Sequence, residues 1–294
     1  MNPSQLVTLE VPGNNGHNGS ATPSYYNETK VLKVATKVIR GRKVFVFFSG
    51  GKDSLVSLHI LKRLVNGNKE PLTAIHTDTG ISTPGNREYV EKTCRELGVK
   101  LVLLSPKDDY FTLVKRWGFP TLTRRWCKWQ LKIFPVQRFL RTQDKSKILL
   151  VDGVRGAESW IKKRMNHQRI GPLTTFHNVL RCPVFHPVYE WSHEAVEAYI
   201  EKNGLEVNPL YAQYGKAFDC WCSVYKTPSD LVMLKYNHNS LFKQLISVES
   251  SLTSSGSGMF DRGRSQRIYF RDIDKNPDKY VGTKCSSTCA CMTA

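Results

Sequence analysis

The segment Val44-Phe-Val-Phe-Phe-Ser-Gly-Gly-Lys-Asp-Ser54 limits what this chain can fold into more than any other. Val44–Phe48 is apolar at every position rather than at alternate ones, the mark of a strand covered on both faces, which belongs in the middle of a parallel sheet. The strand runs into two glycines and then into a helical pattern. Gly50 and Gly51 let backbone N–H groups approach an anion with no Cβ in the way, and the helix N-terminus adds its dipole. Lys52 and the hydroxyls of Ser49 and Ser54 complete an oxyanion cradle that also includes Asp53. The spacing is not that of the longer G-x-x-x-x-G-K-[ST] loop.

Around this segment, strands alternate with helices. Helices are expected near Lys30–Arg40, Ser54–Val65 and Asn86–Leu97, and strands at Leu72–His76, Lys100–Leu104 and Ile148–Val151. A basic, Trp-rich helical stretch is expected over Leu113–Arg141, and an amphipathic helix over Ser192–Asn203 opening on a Ser cap. Alternation of this kind predicts an α/β fold, a doubly wound, mostly parallel sheet with flanking helices. The sequence divides into a polar arm over residues 1–27, a main α/β domain over 28–246, and a Ser/Gly linker with a Cys-containing basic tail over 247–294. No apolar run approaches the ~18 residues of a membrane span, and the N-terminus lacks a signal-peptide core, so a cytoplasmic protein is expected.

The 43 Lys and Arg against 25 Asp and Glu give a net charge of +18. Lys115–Arg169 alone holds 15 basic and three acidic residues, which is +12 of that total. Such a patch favours a partner or substrate carrying phosphate or sulfate. Eight cysteines without a secretion signal argue for thiol or metal chemistry rather than a disulfide framework. Cys94 falls in a helical pattern and reads as a small core residue.

Three further stretches point the same way as the loop. They are His76-Thr-Asp-Thr-Gly80, Gly153-Val-Arg-Gly-Ala-Glu-Ser-Trp-Ile-Lys-Lys-Arg164, and Arg124-Arg-Trp-Cys-Lys-Trp-Gln-Leu-Lys132 with Pro135. With the loop they resemble the PP-loop adenine nucleotide α-hydrolases, and within them the phosphoadenosine phosphosulfate (PAPS) reductase-like family. The resemblance implies an adenine nucleotide in the pocket: PAPS, adenylyl sulfate or ATP. Arg155 and Arg164 lie beyond a strand end, where planar guanidinium forks match phosphate or sulfate oxygens, and Glu158 is expected to orient one of them. Asp78, with Gly80, is expected to contact a hydroxyl or amide of the nucleotide, or to hold magnesium if the substrate is ATP.

The resemblance also implies that Cys127 and the Cys220/Cys222 pair match ligands of a [4Fe–4S] cluster, with Cys182 the nearest candidate for the fourth thiolate. Zinc through the same thiolates, or buried thiols without metal, are the alternatives. Here Trp126-Cys127 replaces the adjacent cysteine pair of cluster-bearing members, and C-x-C replaces C-x-x-C. The tail Lys284-Cys-Ser-Ser-Thr-Cys-Ala-Cys291 resembles the mobile tail carrying the family's nucleophile, which assigns Cys285 to attack on a sulfate sulfur. Two functions follow. One is thiol-dependent reduction of PAPS or adenylyl sulfate to sulfite, with a thioredoxin-like donor. The other is ATP-dependent, iron–sulfur sulfur transfer to nucleic acid, tRNA or DNA, held by the basic patch with Trp117, Trp126 and Trp129 as stacking residues. Nothing in the sequence sets an oligomeric state.

Overall fold

A computed structural model describes residues 28–65, 72–121, 123–156, 173–215, 220–222, 224, 226–252, 260–261 and 267–282. Six strands, β1 (Lys43–Phe47), β2 (Leu72–Thr77), β3 (Lys100–Leu104), β4 (Ile148–Val151), β5 (Thr174–His177) and β6 (Cys182–Phe185), form one sheet in the order β3-β2-β1-β4-β6-β5. β1 pairs in parallel with β4, Val44 opposite Leu149 and Val46 opposite Val151, and β4 pairs in parallel with β6. β5 is antiparallel to β6. Val44, Phe45, Val46 and all of Ile148–Val151 are buried, as two-sided coverage requires. The chain winds from β1 outward through β2 and β3 and then returns to β4 on the other side of β1. That reversal puts the topological switch point at the carboxyl ends of β1 and β4, where ligands of open α/β sheets bind.

The chain divides into two compact units. The first comprises residues 1–48, 52–74 and 146–207. In it α1 (Glu28–Ile39) buries Val31, Ala35 and Ile39 at i, i+4, i+8, the single stripe of an amphipathic helix. α2 (Lys52–Val65), in contrast, buries Leu55, Val56, Leu58, Ile60 and Leu61, because it packs against both α1 and the helix His193–Lys202. The last helix starts on Ser192, whose hydroxyl accepts from the Ala195 N–H at 3.2 Å.

The second unit comprises residues 49–51, 75–145 and 208–294. Its core gathers Tyr110, Leu113, Trp126, Trp221, Phe242 and Phe270. Leu113–Arg141 does not form one helix. Tyr110–Trp117 is α-helical and stops at Gly118, which takes φ +74° and is followed by Pro120 two residues on. Lys128–Ile133 is a π-helix, and Phe134–Leu140 continues as α-helix. The helix Asn239–Ser251 runs through residue 247 because Val248 and Glu249 are buried, so the Ser/Gly composition there does not end the fold. The arm over 1–27 and the tail over 283–294 lie outside the described residues. Among the described residues no helix is long and apolar enough to cross a membrane.

Glu249 ties the chain's late elements together. Its carboxylate accepts from the N–H groups of Phe270 at 2.8 Å and Arg271 at 3.1 Å, at the start of the helix Phe270–Lys275. Burial holds its pKa above the ordinary carboxylate value, against the opposing pull of those two N–H groups. The folded protein therefore binds this proton more tightly than the unfolded chain. The contribution is full below the ordinary Glu range and is lost as pH rises through the raised value. Glu249→Ala should lower stability by about 1–3 kcal/mol by stranding buried donors. Glu249→Gln should remove this group's share of the pH dependence in urea midpoints measured between about pH 4 and pH 7.

Candidate functional site

The glycine loop is gripped from behind. In the second unit, Asn86 Nδ2 donates to the Ser49 carbonyl at 3.1 Å, and Asn208 Nδ2 donates to the Gly50 carbonyl at 3.2 Å and to Asn86 Oδ1 at 2.8 Å. Both asparagines are fully buried. With the two carbonyls held this way, Gly50 takes φ +87°, and a Cβ there would collide with Asn86 Oδ1. Gly51 differs: a Cβ would meet only Ser49 Oγ at 3.5 Å and the Tyr211 hydroxyl at 3.7 Å, ordinary contacts. The protein itself therefore requires glycine at 50, whereas at 51 its packing would accept a Cβ.

In the first unit, α2 opens with Lys52 and Asp53. Lys52 Nζ lies 2.7 Å from Glu197 Oε1, and that bond to Lys52 holds the Glu197 carboxyl below the usual carboxylate range. Arg155 Nε lies 2.9 Å from Asp53 Oδ1. Gly153 presses on the first turn of α2, since a Cβ there would come within 2.6 Å of the Ser54 nitrogen. The β4 loop is fixed by a polar chain across the strand ends. His186 Nδ1 and Asp152 Oδ1 are 2.6 Å apart, His186 Nε2 and Thr175 Oγ1 2.7 Å, and Asp152 also accepts from the Val154 N–H at 3.1 Å. Asp53 and Arg155, from segments about a hundred positions apart, are thus brought together at the switch point. Glu158 and Arg164 lie outside the described residues.

Asp78 and Gly80 follow β2 in the second unit. Asp78 Oδ1 accepts from the Gly80 N–H at 3.0 Å, Arg87 Nη1 reaches Asp78 Oδ2 at 3.3 Å, and Gly80 takes φ +69°. Three of the singled-out thiols also meet in this unit. Cys220 Sγ donates to Cys222 Sγ at 3.3 Å, and the Cys222 thiol hydrogen-bonds Cys127. That bond lowers the pKa of Cys127, against its burial, and pushes Cys222 up to about 12. Among the described residues no group of three or more His, Cys, Asp and Glu side chains is set as a metal-ion site. Cys182 starts β6 in the first unit, fully buried, with its Sγ donating to the Leu180 carbonyl at 3.5 Å. Cys94 is buried, which pushes its thiol up to about 12, as a core residue should be. Cys285, Cys289 and Cys291 lie outside the described residues.

Residues 43–241 match the phosphoadenosine phosphosulfate reductase domain. The chain belongs to that family. The PAPS reductase domain here is 30% identical over 179 residues to an uncharacterized protein of Methanocaldococcus jannaschii, a match covering 60% of this chain and 35% of that one. It is 29% identical over 182 residues to a glutamine-hydrolyzing GMP synthase chain of the same organism, covering 60% of this chain and 54% of that one. The chain thus spans between about a third and just over half of these curated relatives. A solved PAPS reductase from Candida auris, in a phosphate complex, superposes with a TM-score of 0.49 at 19% identity, covering 67% of this chain and 89% of that one.

Four residues of this PAPS reductase domain that sequence reasoning missed bond the loop, Lys52 or Thr83: Asn86, Asn208, Glu197 and Trp221. Asn86 opens a helix and Asn208 precedes Pro209, positions where asparagine is ordinary, and 122 residues separate them. No local signal joins them. Gly51→Val should leave the thermal unfolding curve and helical content intact while abolishing nucleotide binding in a calorimetric titration. Gly50→Ala should lose about 1–3 kcal/mol of stability as well, because the backbone conformation and Asn86 both resist a side chain. Equal behaviour of the two variants would contradict this division of labour.

Proposed function

We propose that this chain binds a sulfonucleotide, PAPS or adenylyl sulfate, in its glycine loop and reduces it to sulfite with a thiol. The observation that carries the reading is a continuous polar link from the loop to the cysteine pair. The Trp221 N–H donates to the Ile81 carbonyl at 2.7 Å and its indole Nε1 donates to Thr83 Oγ1 at 2.9 Å. The Asn86 N–H donates to the Thr83 carbonyl at 3.0 Å, and Asn86 grips Ser49. Trp221 stands between Cys220 and Cys222, so the element that shapes the anion cradle also anchors the thiols. Anion recognition and sulfur chemistry are built as one unit.

In the proposed step the thiolate of Cys285 attacks the sulfate sulfur. An S–S bond forms, the bond from sulfur to the bridging phosphate oxygen breaks, and the nucleotide leaves as adenosine monophosphate or bisphosphate. A second thiol, from a thioredoxin-like donor, then attacks the cysteine sulfur. Sulfite departs with the electron pair and a disulfide remains, so two thiols have supplied the two electrons. Lys52 and Arg155 meet the anionic groups of the substrate, the latter with a planar fork suited to phosphate or sulfate. In the resting protein both are held by carboxylates, which orient them.

Cys127, Cys220 and Cys222 are soft donors of the kind an iron–sulfur cluster or zinc takes, but among the described residues no three such side chains are set around a metal position, so no step is routed through a metal. Asp78 remains the residue for magnesium only where ATP is the nucleotide.

Removing residues 283–294, or making Cys285→Ser, should abolish sulfite formation and leave the Kd for the nucleotide unchanged. Sulfite release that survives the truncation would exclude the tail thiols. Lys52→Ala should weaken nucleotide binding by about 1.5–3 kcal/mol, the worth of one charge-assisted hydrogen bond.

A further inference from the structure

The tryptophans of the basic stretch have different fates. Trp126 is buried, its Nε1 donating to the Gly118 carbonyl at 3.1 Å, and it packs edge-on against Trp117 at 5.6 Å between ring centroids. Trp117 packs against the same core. These two are structural. Trp129 is 40% exposed, and beside it stands Phe134, 43% exposed, with ring centroids 6.1 Å apart and planes at 45°.

The π-helix accounts for the pairing. Residues five apart lie about 140° apart around an α-helix and could not share a face. Here the Phe134 N–H donates to the Trp129 carbonyl, the i→i+5 bond of a π-turn, which brings both rings to one side. That geometry is rare, and the core does not need it. The inward side of the segment already has Leu131, Pro135, Val136 and Leu140 buried. The π-turn thus displays two large aromatic rings to solvent.

The segment is basic in sequence, although Arg116 at its start pairs with Asp108 at 3.6 Å. Residues 110–143 contain eight Lys and Arg and no Asp or Glu. Lys128 and Lys132 flank Trp129 in sequence, and Arg124 and Arg138 are exposed at either end of the segment. Solvent-facing rings offer π-faces, and the cations offer phosphate contacts.

We infer that the Trp129–Phe134 face is a docking surface for single-stranded nucleic acid. The unpaired strand is specified because only bases freed from a duplex can lay their faces on these rings. An acidic polypeptide would satisfy the cations but leave the paired rings without a planar partner. The sulfonucleotide reading does not require this face, so the inference goes beyond it and the two fail separately.

The test uses the full chain and a fluorescently labelled, mixed-sequence oligonucleotide, as DNA and as RNA, single-stranded and annealed. Trp129→Ala and Phe134→Ala should each weaken single-strand binding about 5- to 150-fold, and Trp129→Phe should retain most of the affinity. Both rings are exposed, so the melting temperatures should stay within about a degree or two of the parent. Lys128→Ala and Lys132→Ala should each lower the slope of log affinity against log salt by about 0.7. Gly51→Val should keep oligonucleotide binding while losing the nucleotide, which separates this surface from the loop. Undiminished affinity in the Trp129→Ala/Phe134→Ala double variant would overturn the inference. So would duplex binding equal to single-strand binding, or polyglutamate bound with the same dependence on Trp129 in place of nucleic acid.

Discussion

Two buried amides hold the chemistry of this protein in place. A loop that binds anions must turn its N–H groups toward the ligand, and so must satisfy its carbonyls on the other side. Asn86 and Asn208 do this for Ser49 and Gly50, and bond to each other so that neither amide is left short of a partner. Carboxamides suit the task because each provides donors and an acceptor without charge, and a buried carboxylate here would repel both the carbonyls and the incoming anion. The loop's conformation is thus set by buried groups that bond its carbonyls.

The grip extends outward through short, directional bonds. Asn86 is held by Thr83, Thr83 by Trp221, and Trp221 carries the two cysteines on either side of it. Lys226 Nζ lies 4.7 Å above the Trp221 ring, which is wholly buried. A cation over an indole with no exposed face adds about 1–2 kcal/mol to its seating. Because a buried tryptophan has few alternative rotamers, the positions of Cys220 and Cys222 relative to the loop are set within this unit by packing and hydrogen bonding together.

Much of this was legible in the sequence, and the limits have physical causes. Val44–Ser54 announced a central strand and an anion loop because strand burial, glycine and helix onset are all local properties. The family and the sheet were readable from motifs. Asn86 and Asn208 were not, since the bond between them spans 122 positions and asparagine at a helix start or before proline looks ordinary. Glu197 sits on an amphipathic helix facing Lys52, where a glutamate signals only a polar face. The stretch Leu113–Arg141 read as one helix because its apolar residues recur at helical spacing. Gly118 and Pro120 marked the first break, but nothing in a sequence announces a π-turn, whose extra residue leaves composition unchanged and alters only which side chains share a face.

The pairing of the two cations with carboxylates carries a further consequence for binding. Lys52 with Glu197 and Arg155 with Asp53 are partly buried pairs, with side-chain exposures of 19% and 46% in the first and 13% and 21% in the second. A cation stripped of its carboxylate in such surroundings would lose hydration without compensation and swing away, whereas a paired one keeps its direction. The same carboxylate competes with any anion that arrives, so affinity is lower than two bare cations would give. Attraction by the backbone is different in kind: the loop N–H groups and the α2 dipole are fixed in direction and need no rearrangement to meet an anion. On that proposal, recognition begins at the peptide groups that Asn86 and Asn208 hold in position. Under the proposed function, the cations serve only a ligand with enough negative charge to draw them from Glu197 and Asp53, which favours polyanionic nucleotides over single phosphates.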